Sequence, residues 1–443
     1  MTSGTQKASL IRGTALLAAA SILTRIIGLG NRMILSRLIG AEGLGLYQMI
    51  LPLYALLAVG AGLGLSGAVA RMVAHRCAAG DHAAALQIRR SALRFVLMAA
   101  AVLTALLWLL WPCWRRLAPD PRILGPLALA PPAFVFAALS SILRSYTQGH
   151  GWMLPTALSQ VAEQSLRVAV GLALAILLFP YGLESALLGL FGGIIAGELA
   201  CLLLLFLMKL PAEKTVKPPH PRRAAPAVVK ELFSLALPLL LIRLGTAFTQ
   251  TIESLMIPGR LQAAGFSAAE GAALYGELAG MALPLLFLPT VLIIPLNTTL
   301  VPAITAAVTL RRRERLERLI KVSLWGTLGL GTLSAALLYP GAALLTKIFY
   351  GTTAAAGLLA RLAPLAPFAY LQLATAAVLH GMGRPGYAAS TDLLGTAAGL
   401  AVIYRLAALP HWGINGATCG YTVSFIVIAL LDYLLIFHFL KRI

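Results

Sequence analysis

Long apolar runs, separated by short polar segments, make up nearly the whole chain. Runs of about 18 residues or more are long enough for a helix to cross the hydrocarbon core of a bilayer. The pattern predicts about twelve spans, at approximately 14–36, 46–70, 92–112, 123–145, 155–179, 184–208, 231–257, 274–308, 319–340, 358–381, 386–407 and 414–439. Because a helix satisfies its own backbone polar groups, the predicted fold class is an all-α polytopic membrane protein.

The eighth predicted span is long and contains Pro284, Pro289, Pro295 and Pro302. Each proline frees a backbone carbonyl, which is tolerated at membrane depth where protein or water can satisfy it. We therefore expect a broken helix here. Together with Gly28 and Gly30 of the first span, these prolines are the predicted bending elements.

The first span carries two arginines, Arg25 and Arg32, inside its apolar run. At about 100° per residue they share one helical face with Ser21 and Gly28, while the opposite face is apolar. An unpaired charge at the bilayer centre costs about 2.5–3.5 kcal/mol on insertion scales, so such a residue normally faces protein or water. We expect this face to line a central cavity.

The seventh span repeats the arrangement, and its polar face carries Arg243, Thr246, Gln250 and Glu253. Arginines from the two halves of the chain would form a cationic chamber. The planar guanidinium fork suits phosphate, so we interpret these residues as a binding site for an anionic head group such as a pyrophosphate. The alternative is that each arginine is held by a local carboxylate, for instance Arg243 by Glu253.

Composition agrees with a membrane protein, since 59% of the residues are hydrophobic and 11% are charged. In soluble proteins about a quarter are charged. The net charge of +20 has no accompanying soluble domain or aromatic-rich basic tract, which disfavours nucleic-acid binding. Most of the 35 lysines and arginines fall in segments that are cytoplasmic if the N-terminus is inside. This asymmetry predicts that both termini are cytoplasmic.

A proline- and lysine-rich segment at 209–230 divides the chain into six predicted spans on each side. We interpret 1–208 and 231–443 as two six-helix lobes joined by a cytoplasmic linker. The halves are weakly alike. Each has a basic segment after its second span and a related turn after its fourth, YTQGHGWMLPTA at 146–157 and HGMGRPGYAAST at 380–391.

Other polar residues at membrane depth favour structural roles. Glu163 precedes Arg167 by four residues, which predicts an ion pair within one helix. The isolated acids are interpreted as interhelical packing partners, with proton relay or Na⁺ binding as the alternative; they are Glu198, Glu277, Asp392 and Asp432.

No metal site is expected from the spacing of histidines and cysteines. A basic loop contains His75, Arg76, Cys77 and His82 without the spacing of metal ligands, and we interpret it as a solvated face. The four cysteines include no C-x-x-C pair, so packing is the favoured role for each.

Two segments carry a resemblance to a known family: GTALLAAASILTRIIGLGNRMILSRLIGAEGLGLYQM at 13–49 and IESLMIPGRLQAAGFSAAEGAALYGELAGMALPLLFLPTVLIIPLNTTLVPAI at 252–304. Both closely resemble the stage V sporulation protein B family. That family belongs to the polysaccharide-transporter branch of the multidrug/oligosaccharidyl-lipid/polysaccharide (MOP) exporter superfamily and is related to lipid II flippases. The resemblance extends more loosely along nearly the whole chain.

The resemblance implies a MATE-like fold of two six-helix lobes around a central cavity. By position, Arg25 and Arg37 match arginines in the first helix of the lipid II flippases. A further arginine of that helix falls at Asn31 here, with Arg32 beside it. The basic pair of the second flippase helix is missing, since LPLYALLAVGAG at 51–62 is apolar.

The function implied is a flippase of the bacterial cytoplasmic membrane that moves undecaprenyl-pyrophosphate-linked sugars by alternating access, for spore cortex or cell-wall synthesis. It is not an enzyme and needs no cofactor, although the membrane potential or a monovalent cation could drive it. Its partners would be the lipid-linked sugar, membrane lipids and cell-wall synthesis enzymes, with no nucleic acid. The alternatives are a cation-coupled multidrug exporter of the same fold and a non-transporting wall-synthesis scaffold.

The charge asymmetry predicts which loops an impermeant thiol reagent reaches in intact cells. In a cysteine-free background, cysteines placed at Gly80, Pro219 and Arg313 should be shielded, and those at Pro119 and Phe266 should be labelled. Labelling of position 219 from outside would overturn the orientation.

Overall fold

The computed structural model describes residues 2–208 and 225–441, without the side chains of 2–11, 225–229, 239, 294–295 and 298. The described chain is almost entirely helical and contains no strand, which confirms the all-α class. Most of the predicted linker, residues 209–224, lies outside the described residues.

The described helices fall into two runs. Up to residue 208 they are α1 (Thr2–Leu38), α2 (Gly40–Gly62), α3 (Leu65–Ala78), α4 (His82–Leu109), α5 (Trp111–Leu117), α6 (Leu124–Ala128), α7 (Ala130–Gly149), α8 (Leu154–Leu178) and α9 (Leu183–Leu207). From residue 225 they are α10 (Ala225–Ala263), α11 (Ala268–Tyr275), α12 (Leu283–Phe287), α13 (Ile293–Thr309), α14 (Arg313–Tyr350), α15 (Ala356–Leu362), α16 (Ala366–Gly381), α17 (Pro385–Leu406) and α18 (Ile414–Leu440).

Within the described ranges, nine helices are long and apolar enough to cross a membrane, and two bent pairs raise the number to eleven. All eleven coincide with predicted spans. The predicted span 386–407 corresponds to α17, which has 22 residues but is rich in glycine, alanine and threonine and is not among the eleven.

The predicted eighth span, 274–308, is broken in the structure. The candidate membrane span covers Ala268–Leu292 and is followed by helix α13 (Ile293–Thr309). Between α11 and α12 the backbone is a π-helix over Gly276–Ala282, and a 3₁₀ segment follows over Leu288–Leu292. The expectation of a broken helix is therefore confirmed.

Contacts between Cα atoms divide the chain into two compact units. Unit 1 comprises Met1–Asn31 and Met49–Thr251, and unit 2 comprises Arg32–Gln48 and Ile252–Ile443. The limits fall inside helices α1, α2 and α10, whereas the predicted lobes meet at the linker. A helix rises about 1.5 Å per residue, so a long helix can pack its two ends against different neighbours.

The two units share one packing pattern. In unit 1 helix α7 contacts α3 and α4, which precede it, and the closing pair α8 and α9. In unit 2 helix α16 contacts α13 and α14 on one side of the sequence and the pair α17 and α18 on the other. The weak likeness of the two halves thus corresponds to one repeated arrangement of helices.

The turns that connect these helices also repeat. After α7 the left-handed residue is Gly151, with φ 75°, and after α16 it is Gly383, with φ 74°. The amides of Gly151 and Gly383 donate to the carbonyls three residues earlier, at 2.8 and 3.0 Å. The amides of the next residues, Trp152 and Arg384, donate to the carbonyls five residues earlier. This is the Schellman geometry, which satisfies carbonyls at a helix C-terminus and favours glycine. The predicted relation between the two turns is confirmed.

The turn from α3 to α4 has the same geometry as the turn from α13 to α14. The left-handed positions are Gly80, with φ 72°, and Arg311, with φ 50°. The turns at Gly80 and Gly151 of unit 1 therefore both have a counterpart in unit 2.

Glycines let the closing pair of each unit pack backbone against backbone. In unit 1 a Cβ at Gly193 would lie 2.4 Å from the Cα of Gly171, and one at Gly197 would lie 2.6 Å from the carbonyl oxygen of Glu163. In unit 2 a Cβ at Gly399 would lie 2.7 Å from the carbonyl oxygen of Gly420. Small residues allow this close approach, which drives helix association in lipid.

We expect Gly193→Ala to destabilise the protein, because its methyl group would force α8 and α9 apart. Overpacking of this kind costs about 1–3 kcal/mol. The measurement is the thermal unfolding midpoint of purified protein in detergent. The matched control is Gly326→Ala in α14, where a Cβ meets no atom within 4 Å. Equal midpoints for the two variants would contradict the close-packing role.

Candidate functional site

Unit 1 holds a network of charged side chains inside its helices. We call it the ion network; it consists of Tyr54, Arg144, Glu163, Arg167 and Glu198. Arg167 Nη2 donates to Glu163 Oε1 at 2.7 Å and to Glu198 Oε1 at 2.9 Å. Arg144 Nη2 donates to Glu163 Oε2 at 2.6 Å, and the Tyr54 hydroxyl donates to Glu198 Oε1 at 2.9 Å.

The packing of α8 against α9 places these groups together. Glu163 and Arg167 lie one turn apart on α8, and Gly197 brings α9 against that turn. Its neighbour Glu198 then reaches the Arg167 guanidinium. Helix α7 supplies Arg144, whose Nε also donates to Ser159 Oγ at 2.9 Å.

The ion network balances its own charge, with two carboxylates and two guanidinium groups. The side chains of Glu163 and Glu198 are 15% and 7% exposed, so these carboxylates depend on the paired arginines instead of on water. Removing one partner of such a buried pair costs about 3–5 kcal/mol, because it leaves an uncompensated charge. The network therefore stabilises unit 1 and leaves neither of these arginines available as a simple anion receptor.

The predicted structural roles of Arg167 and Glu198 are confirmed by these bonds. The i, i+4 spacing was sufficient to identify the pair of Glu163 with Arg167. The sequence analysis missed Arg144 and Tyr54 as members of the network. No spacing rule links them to Glu163 or Glu198, because they come from other helices.

In unit 2 the interpretation of the isolated acids holds for Asp432, whose carboxylate accepts hydrogen bonds from the hydroxyls of Thr375 and Thr391. Asp392 accepts a long bond of 3.4 Å from Gln372 Nε2. Glu277 forms no hydrogen bond or ion pair with any described residue, so its packing partner stays a prediction.

Three side chains of unit 2 hydrogen-bond to carbonyls in the broken helix. Gln48 Nε2 donates to the carbonyl of Ala279 at 3.0 Å, and the Tyr350 hydroxyl donates to that of Met281 at 3.2 Å. The Tyr370 hydroxyl donates to the carbonyl of Leu286. In lipid, carbonyls without an intrahelical partner need such donors, so these residues stabilise the irregular backbone.

The predicted cavity residues Arg25, Arg243 and Gln250 all have exposed side chains in unit 1. None of them forms a hydrogen bond or ion pair with any described residue. The apolar faces opposite them are exposed as well, since Leu23 is 44% and Phe248 is 55% exposed. Helices α1 and α10 therefore each present a polar and an apolar exposed face.

Glu253 does not serve as a carboxylate for Arg243. Its Oε1 accepts a hydrogen bond from the Tyr421 hydroxyl, and both residues belong to unit 2. The alternative in which Glu253 pairs with Arg243 is therefore not supported.

The remaining predicted residues of α1 differ in their surroundings. Arg32 is half-buried in unit 2 and interacts electrostatically with Tyr350 and Tyr47. Arg37 Nη2 donates to the backbone carbonyl of Ile348 at 3.1 Å, which indicates an anchoring contact. Asn31 Oδ1 is buried and has no hydrogen-bond partner among the described residues. Arg25 and Arg243 belong to unit 1 and Arg32 to unit 2, and the cationic chamber stays a prediction.

The predicted bending residues lie in or beside irregular backbone. Pro284 lies in α12, Pro289 in the 3₁₀ segment and Pro302 inside α13. The side chain of Pro295 lies outside the described set. In α1 a Cβ at Gly28 would lie 3.4 Å from Gln164 Nε2, whereas one at Gly30 would meet nothing within 4 Å.

One group of side chains combines donor types that bind metals. The ligand atoms of Cys77, His82 and His150 all lie within 4.8 Å of one another, and each residue is half-buried. The interpretation of Cys77 and His82 as a solvated face did not consider His150, which is distant in sequence.

Comparisons with known proteins point to one superfamily. The family model described as "Polysaccharide biosynthesis protein" matches residues 10–308. Stage V sporulation protein B of Bacillus subtilis (strain 168) is 31% identical over 430 residues, covering 96% of this chain and 83% of that protein. Lipid II flippase MurJ of the same organism is 24% identical and covers 96% of this chain and 82% of that protein.

Solved structures of MOP superfamily transporters share the fold. An inward-facing multidrug resistance MATE family transporter superposes with a TM-score of 0.77, at 16% identity, over 95% of each chain. A MOP superfamily transporter from Pyrococcus furiosus, described as having a binding pocket of reversed polarity, superposes with a TM-score of 0.66, also at 16% identity, over 98% of this chain and 95% of that one. At this level of identity the likeness shows the fold alone.

We expect Glu163→Gln to destabilise the protein strongly, by about 3 kcal/mol, because Arg144 and Arg167, whose side chains are only 19% and 24% exposed, lose their shared carboxylate. The thermal unfolding midpoint of purified protein measures the effect. The matched control is Glu317→Gln, which breaks the exposed ion pair of Arg313 and Glu317 on α14. Exposed pairs of this spacing contribute about 0.3–0.5 kcal/mol. A midpoint for Glu163→Gln as high as that of the control would exclude a stabilising network.

Proposed function

The chain belongs to the polysaccharide biosynthesis protein family, and from that premise we propose that it is a flippase for undecaprenyl-pyrophosphate-linked sugars. The cargo would be a lipid II-like peptidoglycan precursor or a polysaccharide repeat unit. The named relatives support a lipid-linked cargo, since one of them is a lipid II flippase. A flippase role also implies a protein without catalytic chemistry.

One observation carries the proposal: Arg25 and Arg243 lie inside apolar helices, are exposed, and have no partner among the described residues. Each lies about a dozen residues into its predicted span, which places it near mid-depth at about 1.5 Å per residue. A charge held there without a partner costs about 2.5–3.5 kcal/mol or more. An anionic cargo would offset this cost.

Pyrophosphate is the anion that suits these side chains. A guanidinium group donates paired, charge-assisted hydrogen bonds to phosphate oxygens, and such bonds contribute about 1.5–3 kcal/mol each. Gln250, exposed on the same helix as Arg243, adds an uncharged donor and acceptor for a sugar or phosphate. Asn31, also in unit 1, offers a buried oxygen.

The ion network argues against the multidrug exporter as the leading alternative. A cation-coupled exporter needs free carboxylates, but Glu163 and Glu198 are already paired with arginines. Glu253, Asp392 and Asp432 keep this alternative in consideration, because their hydrogen-bond partners are uncharged. Glu277, which has no partner among the described residues, does so as well. The third hypothesis, a non-transporting wall-synthesis scaffold, would not need unpaired arginines at membrane depth.

We further propose transport by alternating access, with the broken helix as the bending element. The π-helix, the 3₁₀ segment and the prolines at 284, 289 and 302 interrupt the regular hydrogen bonding between residues 276 and 309. Irregular segments of this kind absorb backbone rotation at low cost, and such motions gate many transporters.

The proposal places the protein in the bacterial cytoplasmic membrane with both termini in the cytoplasm, as the distribution of basic residues favours. We propose no cofactor, and we propose the membrane potential or a monovalent cation as the driving force. The similarity to stage V sporulation protein B supports a role in spore cortex synthesis.

We expect Arg25→Ala and Arg243→Ala to accumulate at normal levels but to fail in transport. Losing one charge-assisted contact of about 1.5–3 kcal/mol weakens cargo binding about ten- to hundredfold. Lysine at either position should rescue in part, because it keeps the charge but not the fork. The measurement is complementation of a strain that lacks this activity, with protein levels checked by immunoblot.

The matched control for this experiment is Arg313→Ala, which removes an arginine from an exposed ion pair outside the proposed cavity. It should complement fully. Full complementation by both cavity variants would refute the anionic-cavity hypothesis. Drug resistance that depends on Glu253 would favour the exporter instead.

A further inference from the structure

We propose that Cys77, His82 and His150 form a binding site for a Zn²⁺-class divalent metal. One thiolate and two imidazoles are the donor set that zinc prefers, and they converge from three helices of unit 1. This inference goes beyond transport and does not depend on the proposed cargo.

Two helix-ending turns bring the three ligands together. Cys77 lies in the last turn of α3, and Gly80 then reverses the chain so that α4 begins at His82. His150 follows α7, where the same type of turn is made by Gly151. Gly149 keeps α7 close to α3, because a Cβ there would lie 2.7 Å from Val73 Cβ. The ligands are therefore fixed by backbone packing instead of by a long loop.

The distances between the three ligand atoms are close to those found around a bound zinc ion. The three ligand atoms lie within 4.8 Å of one another. In tetrahedral zinc sites, with metal–sulfur and metal–nitrogen distances of about 2.3 and 2.0–2.1 Å, neighbouring ligand atoms are about 3.3–3.7 Å apart. Side-chain movements of about 1 Å would complete the geometry and leave a fourth position for water.

The hydrogen bonding of the histidines also favours a metal. His150 Nδ1 lies 3.0 Å from the carbonyl oxygen of Tyr146, which can only accept, so Nδ1 carries the proton and Nε2 keeps its lone pair. Metal-binding histidines are commonly oriented in this way, by a hydrogen bond from the other ring nitrogen to a carbonyl oxygen. Nδ1 of His82 is buried and has no hydrogen-bond partner among the described residues.

The alternative is that the histidines pack as aromatic rings. His82 and His150 are stacked with centroids 6.1 Å apart, and Tyr146 meets His150 edge-on at 4.5 Å. Stacking does not explain the converging cysteine. Tyr146 is also contacted by a cation, since Arg89 lies over its ring at 4.8 Å. The thiolate would also neutralise one charge of the metal.

The repeat in unit 2 provides an internal comparison. Its turns have the same geometry, but the residues corresponding to Cys77, His82 and His150 are Val308, Arg313 and Met382. The turns and the packing thus form without these side chains. Thiol and imidazole groups at all three positions of unit 1 are therefore not required by the fold.

The test uses the full chain, purified in detergent without a polyhistidine tag and titrated with Co²⁺ and Zn²⁺ alone. We expect one bound ion per chain and, with Co²⁺, a thiolate-to-metal charge-transfer band in the near ultraviolet. Cys77→Ser should abolish the band. His82→Ala and His150→Ala should weaken binding by more than about tenfold. Zn²⁺ should raise the unfolding midpoint of the natural protein but not that of Cys77→Ser.

The matched controls are His75→Ala, an exposed histidine on the same helix as Cys77, and Cys113→Ser, an exposed cysteine of α5. Both should bind like the natural protein. If His150→Ala fails to fold, Cys77→Ser and His82→Ala still decide the question. Absence of the thiolate band, or equal loss of binding in the controls, would overturn the proposal.

Discussion

The structure depends on one constraint: a backbone polar group inside a bilayer must find its partner within the protein. Regular helices meet this constraint alone, and nearly all of the described chain is helical. Where the eighth span is broken, Gln48, Tyr350 and Tyr370 donate to carbonyls of the irregular segment. The irregular backbone is thus stabilised by three side-chain hydrogen bonds from other helices.

Four arginines in the predicted spans of unit 1 fall into two kinds. Arg144 and Arg167 share carboxylates with Glu163 and Glu198, and the helices α7, α8 and α9 are tied together by those bonds. Arg25 and Arg243 have no such partner among the described residues. A charge that the fold does not neutralise is expensive to keep, which is why we assign these two arginines to an anionic cargo.

Because the two units share one helix arrangement, features present in both can be told apart from features present in only one. Both units use a central helix, a glycine-packed closing pair and left-handed turns. Unit 1 adds the ion network and the Cys77, His82 and His150 group, whereas unit 2 adds the broken helix. Features that occur in one repeat and not the other are the natural candidates for function.

The sequence by itself determined the class, the spans and the local pairs. Apolar run lengths located the helices, and the i, i+4 spacing of Glu163 and Arg167 predicted their bond, because both signals act within one helix. Only the tertiary structure decided the partners that come from distant segments. Tyr54 and Arg144 hydrogen-bond to the acids of the ion network, Tyr421 hydrogen-bonds to Glu253, and His150 lies beside Cys77. Such contacts depend on how helices pack, which no spacing along the chain encodes.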